Sequence, residues 1–106
     1  MTNEKIVTVF KAFSDESRVK ILGLLKEGEM GGNAILEQMQ IGQSTLSHHM
    51  KVLMDCGLVE CRKKGTWTYY KLHMTNANKL VLFLLTIITS NEGNNIWGKD
   101  INIGID

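Results

Sequence analysis

The chain has 106 residues, a hydrophobic fraction of 43%, a charged fraction of 22% and a formal net charge of +1 at pH 7. These values are typical of one globular domain and exclude a wholly disordered chain. Two cysteines do not make a disulfide scaffold, and the longest apolar run, Leu80–Ile88, is shorter than the roughly 20 residues of a membrane span.

Apolar residues spaced three and four apart predict four helices in the first half of the chain. Asp15 is a favourable N-cap for the second helix, which Gly28 ends. The short third helix follows a flexible segment, Gly31–Asn33, and the fourth runs from about Gln43 to Cys56, where Gly57 ends it. The apolar faces of these helices are, in order, Ile6, Val7, Phe10 and Phe13; Val19, Ile21, Leu22, Leu24 and Leu25; Ile35, Leu36 and Met39; and Leu46, Met50, Leu53 and Met54.

After Gly57 the pattern changes from helical spacing to that of strands. The segments Leu58–Arg62 and Trp67–Leu72 predict two strands, and Lys63–Thr66 predicts the turn between them. A fifth helix is predicted from about Asn76 to Ser90, and it is apolar on nearly all sides. A solvated helix of a monomer has one apolar stripe, so this helix is expected to be buried against a second subunit.

The order of these elements predicts an α+β, mainly α, winged helix-turn-helix: helices 1–4, a two-stranded wing hairpin and a C-terminal dimerisation helix. In this fold the second helix of the helix-turn-helix enters the major groove of duplex DNA, with its first residues at the base edges. Here those residues are Gln43, Ser44, Ser47 and His48, all of which carry hydrogen-bonding groups. A polar helix face in water is the alternative interpretation.

The basic residues are concentrated near this helix and the hairpin. Residues 43–73 contain five basic and two acidic residues, a local net charge of +3 on a nearly neutral chain. We expect Lys51 on the helix, and Arg62, Lys63 and Lys64 at the tip of the hairpin, to contact DNA phosphates. A solvated charge cluster is the alternative for the hairpin.

Four ordered segments of the chain resemble the ArsR/SmtB family of bacterial repressors: Phe13–Leu22, Gln43–Leu53, Gly57–Val59 and Gly65–Leu72. The resemblance implies a homodimer that binds an inverted-repeat operator and releases it when an inducer binds. By the same resemblance, Gln43, Ser44, Ser47 and His48 match the DNA-reading positions of the family. His49 matches a histidine commonly found there. It has two possible roles, contact with DNA and packing within the protein. The implied dimer interface contains Ile6, Phe10, Leu80, Phe83, Leu84 and Ile87.

The chain departs from the metal-sensing members of that family. One metal site of the family needs thiolates at the start of the third helix, where this chain has Gly31–Asn33. Another uses the last helix, but Ala77–Ser90 contains no Asp, Glu, His or Cys. His48 and His49 are about 100° apart on their helix and do not converge. We therefore predict no metal site and no cofactor.

Cys56 and Cys61 leave one inducer mode open, a thiol or arsenite switch. The alternative is structural, because a free cysteine packs as a small hydrophobe and a helix C-terminus disfavours the thiolate at Cys56.

No carboxylate pair, activated nucleophile or phosphate loop indicates an enzyme. The competing function is a winged-helix protein-interaction or assembly module, which would lack salt-sensitive binding to duplex DNA. No basic and apolar leader opens the chain, so we expect a cytoplasmic protein. We expect residues 1–90 to form the domain and residues 91–106 to form a tail of unknown role.

Overall fold

The computed structural model describes residues 1–89. The helices in this part of the chain are α1 (Asn3–Phe13), α2 (Glu16–Leu25), α3 (Gly32–Met39), α4 (Gln43–Asp55) and α5 (Met74–Thr89). The strands in it are β1 (Met30–Gly31), β2 (Val59–Lys64) and β3 (Trp67–Leu72). The predicted tail lies outside the described residues, so the division into a domain and a tail stays a prediction.

The helix ends follow the local chemistry of the sequence. The Asp15 carboxylate accepts a hydrogen bond from the Arg18 backbone N–H at 3.1 Å, so the predicted N-cap of α2 is confirmed. The chain leaves α3 through Gln40, a non-glycine residue with a left-handed φ of 55°. After α4 it turns at Gly57, whose φ is +84°. Because the left-handed region suits glycine, the predicted end of the fourth helix is confirmed as well.

The sheet is antiparallel and has the strand order β1–β3–β2. Strands β2 and β3 form the wing, and their register runs from Val59 opposite Leu72 to Lys64 opposite Trp67. The predicted hairpin is confirmed, but β2 extends two residues beyond Arg62, so the turn is shorter than predicted. Gly65, with a φ of +65°, lies in that turn.

The sheet contains one strand more than the predicted wing hairpin. The additional strand is β1, in which Met30 and Gly31 pair with Tyr70 and Tyr69 of β3. Gly31 is the first residue of the segment that was expected to be flexible. A two-residue edge strand is too short to show an alternating pattern, and glycine has a low strand propensity. Pairing with the long β3 strand decides its conformation.

The core lies between the helices and the base of the wing. Ile21 of α2, Ile35 of α3, and Met50 and Leu53 of α4 are completely buried, and Val59 joins them from the first residue of β2. The apolar faces predicted for α2, α3 and α4 meet in this core, except for Val19, which is exposed. The face predicted for α1 was wrong in part, because Ile6, Val9 and Ala12 are its buried residues. The wing is anchored at its base, while its tip extends beyond the core.

Helix α5 begins two residues earlier than predicted and leaves most of its apolar surface exposed. Leu80 is its only residue that is buried in the protomer.

Within residues 1–89, no helix combines the length and the hydropathy that a membrane crossing requires. The exposed apolar residues of α1 and α5 include Val7, Phe10, Val81, Leu82, Leu84, Ile87 and Ile88.

Candidate nucleic-acid interface

Helix α4 has one polar, exposed face and one buried face. The exposed face contains the four residues predicted to read DNA, together with Lys51. The opposite face, with Leu46, Met50 and Leu53, packs into the core. Thr45 is also exposed in the first turn, where sequence reasoning missed it. Its hydroxyl, directly after Gln43 and Ser44 in the first turn of the helix, was the signal that could have found it.

The beginning of α4 is open to an anion. Its N-cap is Gly42, which has no side chain to accept from the first N–H groups of the helix. The first four N–H groups of a helix have no acceptor within it, and they form its positive end. A phosphate oxygen is therefore a suitable acceptor at this end of α4.

His49 faces the protein and not the solvent. It is 8% exposed, and its Nδ1 lies 3.2 Å from Nη1 of Arg18. The Nε of Arg18 donates to the carbonyl of Ala12 at 2.8 Å. Arg18 thus joins α4 to the end of α1, and of the two roles left open for His49 the geometry supports packing. Arg18 was not singled out from the sequence, because an arginine early in a helix usually faces solvent.

Two of the three cations at the wing tip are unpaired. Lys63 and Lys64 are exposed, and neither forms an ion pair with any residue of the 1–89 region. Arg62 differs, because it forms a two-pronged ion pair with Glu29 and lies over the Tyr69 ring. On α4, Lys51 donates to Asp55 at 2.9 Å in an exposed pair, and such pairs open easily.

The wing also exposes an aromatic side chain. Trp67 is 54% exposed and lies opposite Lys64, next to the turn. Tyr70 is half-buried, and burial raises the pKa of its phenol. The base of the wing is therefore packed, while Trp67 is available for contact with a ligand.

The two cysteines have different surroundings. Cys56 is half-buried, its Sγ donates to the carbonyl of Leu53 at 3.3 Å, and burial raises the pKa of its thiol. It lines a cavity of about 700 Å³ between α1, α5 and the end of α4. Cys61 is exposed on β2, opposite Tyr70. In the described part of the chain, no three His, Cys, Asp or Glu side chains are grouped as a metal site requires.

The six residues predicted for the dimer interface differ in exposure, and one of them, Phe83, is half-buried and lines the same cavity as Cys56. Ile6 and Leu80 are buried within the protomer, at 8% and 7% exposure. Phe10, Leu84 and Ile87 are exposed. These three residues are therefore candidates for a surface that a second molecule covers.

Comparisons with known proteins agree with this arrangement. Residues 15–60 match the family model described as "Bacterial regulatory protein, arsR family". The chain is 41% identical to the arsenical resistance operon repressor of Staphylococcus aureus, over 87% of this chain and 88% of that protein. It is 38% identical to the transcriptional repressor SdpR of Bacillus subtilis, over 82% and 94% of the two chains.

A solved structure has the same fold. It is the solution NMR structure of a homodimeric winged helix-turn-helix DNA-binding domain from Mycobacterium bovis, a possible ArsR-family transcriptional regulator. The TM-score is 0.67 at 30% identity, and the match covers 80% of each chain. The expected winged helix-turn-helix and the expected family are both confirmed. This chain therefore belongs to the arsR family of bacterial regulatory proteins, and it is a transcriptional repressor and not an enzyme.

Proposed function

We propose that two copies of this chain bind an inverted-repeat operator in duplex DNA and thereby repress a neighbouring promoter in the cytoplasm. The observation that carries the proposal is the exposed polar face of α4, which begins at an uncapped helix end. Two lysines on the adjacent wing, which have no ion-pair partner within residues 1–89, support it. This combination is suited to a major groove flanked by phosphates.

Helix α4 would supply the sequence preference. Gln43 carries an amide that can pair with the edge of adenine, and Ser44 and Ser47 carry hydroxyls that accept and donate. His48 is exposed on the same face, next to the inward-facing His49. We assign base or phosphate contact to Gln43, Ser44, Ser47 and His48, and exclude His49 from that set.

The wing and Lys51 would supply affinity for the DNA backbone. The ammonium groups of Lys63 and Lys64 form no ion pair with any described residue, and their contact with phosphates would release the counterions condensed on the duplex. The Lys51 ammonium can exchange its exposed partner Asp55 for a phosphate. These contacts carry no base preference of their own, so they contribute to binding on any duplex.

The second copy would pack on the exposed apolar faces of α1 and α5. Phe10, Leu84 and Ile87 lie there, whereas Ile6 and Leu80 support the same helices from within. The Mycobacterium bovis relative is a homodimer. Reading helices in successive major grooves would have centres about 34 Å apart, one turn of DNA.

The inducer in this proposal is not a metal ion, because this chain lacks the ligands of the family's thiolate site and of its last-helix site. Gly31–Asn33 cannot supply thiolates, and residues 77–89 offer no carboxylate or imidazole. A thiol-reactive compound or arsenite at Cys56 and Cys61 is the alternative that the exposed Cys61 favours. Burial raises the pKa of the Cys56 thiol, which slows the reaction of this cysteine with such a compound.

Fluorescence anisotropy with the DNA upstream of the chain's own gene tests the proposal. We expect tight binding by the reduced protein that weakens steeply with salt, and weaker binding to a scrambled duplex. Loss of binding after mild oxidation would support the thiol switch, and unchanged binding would remove it. Absence of salt-sensitive binding to any duplex would favour a protein-interaction module instead.

A further inference from the structure

A cluster of three side chains ties the wing to the rest of the protein. Arg62 on β2 donates from Nε to Oε2 of Glu29 at 2.9 Å and from Nη2 to Oε1 at 2.8 Å. Its guanidinium also lies over the Tyr69 ring, with 4.8 Å between Cζ and the ring centroid. Glu29 directly precedes β1, so the ion pair spans the sheet from one edge strand to the other.

The sheet register explains why these residues meet. Arg62 of β2 and Gly31 of β1 both lie opposite Tyr69, so all three residues share one face of the sheet. A Cβ at Gly31 would lie 3.5 Å from Cε1 of Tyr69, which means that the ring covers the glycine. The Tyr69 ring therefore contacts both Arg62 and the backbone at Gly31, and Arg62 packs on the ring while it pairs with Glu29.

The ion pair with Glu29 limits the ability of Arg62 to bind a phosphate. A carboxylate that accepts two parallel N–H bonds uses one whole edge of the guanidinium and neutralises its charge. The pair lies at the surface, with 55% of the Arg62 side chain and 29% of the Glu29 side chain exposed. Lys63 and Lys64, which follow Arg62 in the chain, have no such partner among the described residues.

We propose that Arg62, Glu29 and Tyr69 form a wing latch that sets where Lys63 and Lys64 meet the DNA. Arg62 is then a positioning residue and not a phosphate contact. The proposal rests on the DNA binding proposed above. Strand β1 lies in the chain between α2 and α3, whose residues Ile21 and Ile35 pack in one core with α4. The latch therefore fixes the wing relative to the reading helix.

The sign of the effect of Glu29→Gln tests the latch against simple electrostatics. Removal of an acidic charge near a DNA-binding surface raises affinity when charge alone matters. Loss of the latch lowers the affinity for DNA. We expect a loss of about fivefold for the dimer, because each of its two wings loses an ion pair of the ordinary strength of exposed pairs. Glu27→Gln is the matched control, because Glu27 is exposed in the same segment and forms no ion pair in the 1–89 region. Binding by Glu29→Gln that equals or exceeds that of Glu27→Gln would overturn the latch.

A second variant separates position from charge. Arg62→Lys keeps the cation but not the planar fork, so a phosphate contact would survive in it and the latch would not. We expect Arg62→Lys to lose about as much affinity as Glu29→Gln, and the double variant to lose no more than either single change. Wild-type affinity for Arg62→Lys, or fully additive losses, would contradict the proposal.

Amide hydrogen exchange in the free protein gives a readout that needs no DNA. Glu29→Gln and Arg62→Lys are expected to raise the exchange rates of β2 and β3 amides, while Glu27→Gln leaves them unchanged. Equal rates in all variants would overturn the latch even if the wild type binds DNA. Failure of the wild type to bind any duplex with salt dependence would instead overturn the proposed function.

Discussion

At the scale of single residues, Gly57 shows how one backbone position joins the reading helix to the rest of the fold. Its φ of +84° lies in the left-handed region, and its carbonyl accepts from Nδ2 of Asn76 at 2.8 Å. A Cβ at this position would lie 2.9 Å from that same nitrogen. Backbone strain and crowding therefore act together here.

We expect Gly57→Ala to lower the free energy of unfolding by about 2 kcal/mol, the cost of a left-handed residue plus a displaced side chain. Gly23 is the matched control, since it lies in α2 and a methyl group added there would meet no atom within 4 Å. Gly23→Ala should raise stability by about 0.5–1 kcal/mol through helix propensity. Urea unfolding at one protein concentration measures both, and equal effects would contradict this account of Gly57.

At the scale of elements, the N-cap of α2 gives a pH dependence whose sign is fixed. The hydrogen bond from the Arg18 backbone N–H lowers the pKa of the Asp15 carboxyl below its ordinary value of 3.8. A group whose pKa is lower in the folded state stabilises the fold above its unfolded pKa. That contribution is lost as the pH falls through the folded pKa.

We therefore compare the wild type with Asp15→Asn, which keeps a favourable cap and cannot ionise. The stability advantage of the wild type should be constant near neutral pH and should shrink as the pH falls below about 4. Urea unfolding over a pH series measures it. Parallel stability profiles at all pH values would show that the Asp15 charge contributes nothing to the cap.

The two DNA-binding elements should differ in salt dependence. Replacement of Lys63 and Lys64 by Ala should weaken binding to all duplexes and reduce the slope of log affinity against log salt by about two per wing. The matched control is the pair Lys20 and Lys26, which are exposed on α2 and at its C-cap, away from the proposed dimer helices. Ser47→Ala should instead weaken operator binding by about 1 kcal/mol per protomer and leave the salt slope unchanged. A changed slope for Ser47→Ala, or for the control pair, would contradict this division.

The elements also show what the sequence can and cannot predict. The apolar spacing of Leu46, Met50 and Leu53 follows from burial on one side of a helix, so α4 and its polar face were predictable. Strand β1 was not, because its pairing with β3 is decided by residues about 40 positions later in the chain. The pairs Arg18–His49 and Glu29–Arg62 join residues more than 30 positions apart, and no local pattern announces such contacts.

At the scale of the whole molecule, α5 is the element whose apolar surface a single protomer leaves uncovered. Leu82 and Ile87 are 61% and 57% exposed, and Val7 and Phe10 of α1 add to the same kind of surface. Apolar surface of this extent gains free energy when it is covered, at roughly 25 cal/mol per Å². A second copy covers it in the proposed assembly, and the two reading helices then have a fixed spacing.

Leu84→Asp tests that assembly. Leu84 is 37% exposed in the protomer, so the carboxylate of an aspartate there can reach water in a monomer. In the dimer the same carboxylate would be buried without a partner, which costs several kcal/mol per protomer. We therefore expect sedimentation equilibrium to show that the Leu84→Asp protein is a monomer. Val19→Asp is the matched control, because Val19 is 48% exposed on α2 and should leave the dimer unchanged. A Leu84→Asp protein that sediments as a dimer would exclude the α5 face from the interface. A monomeric variant should also lose operator affinity while it keeps weak, salt-sensitive binding, because each half-site contact then forms without its partner.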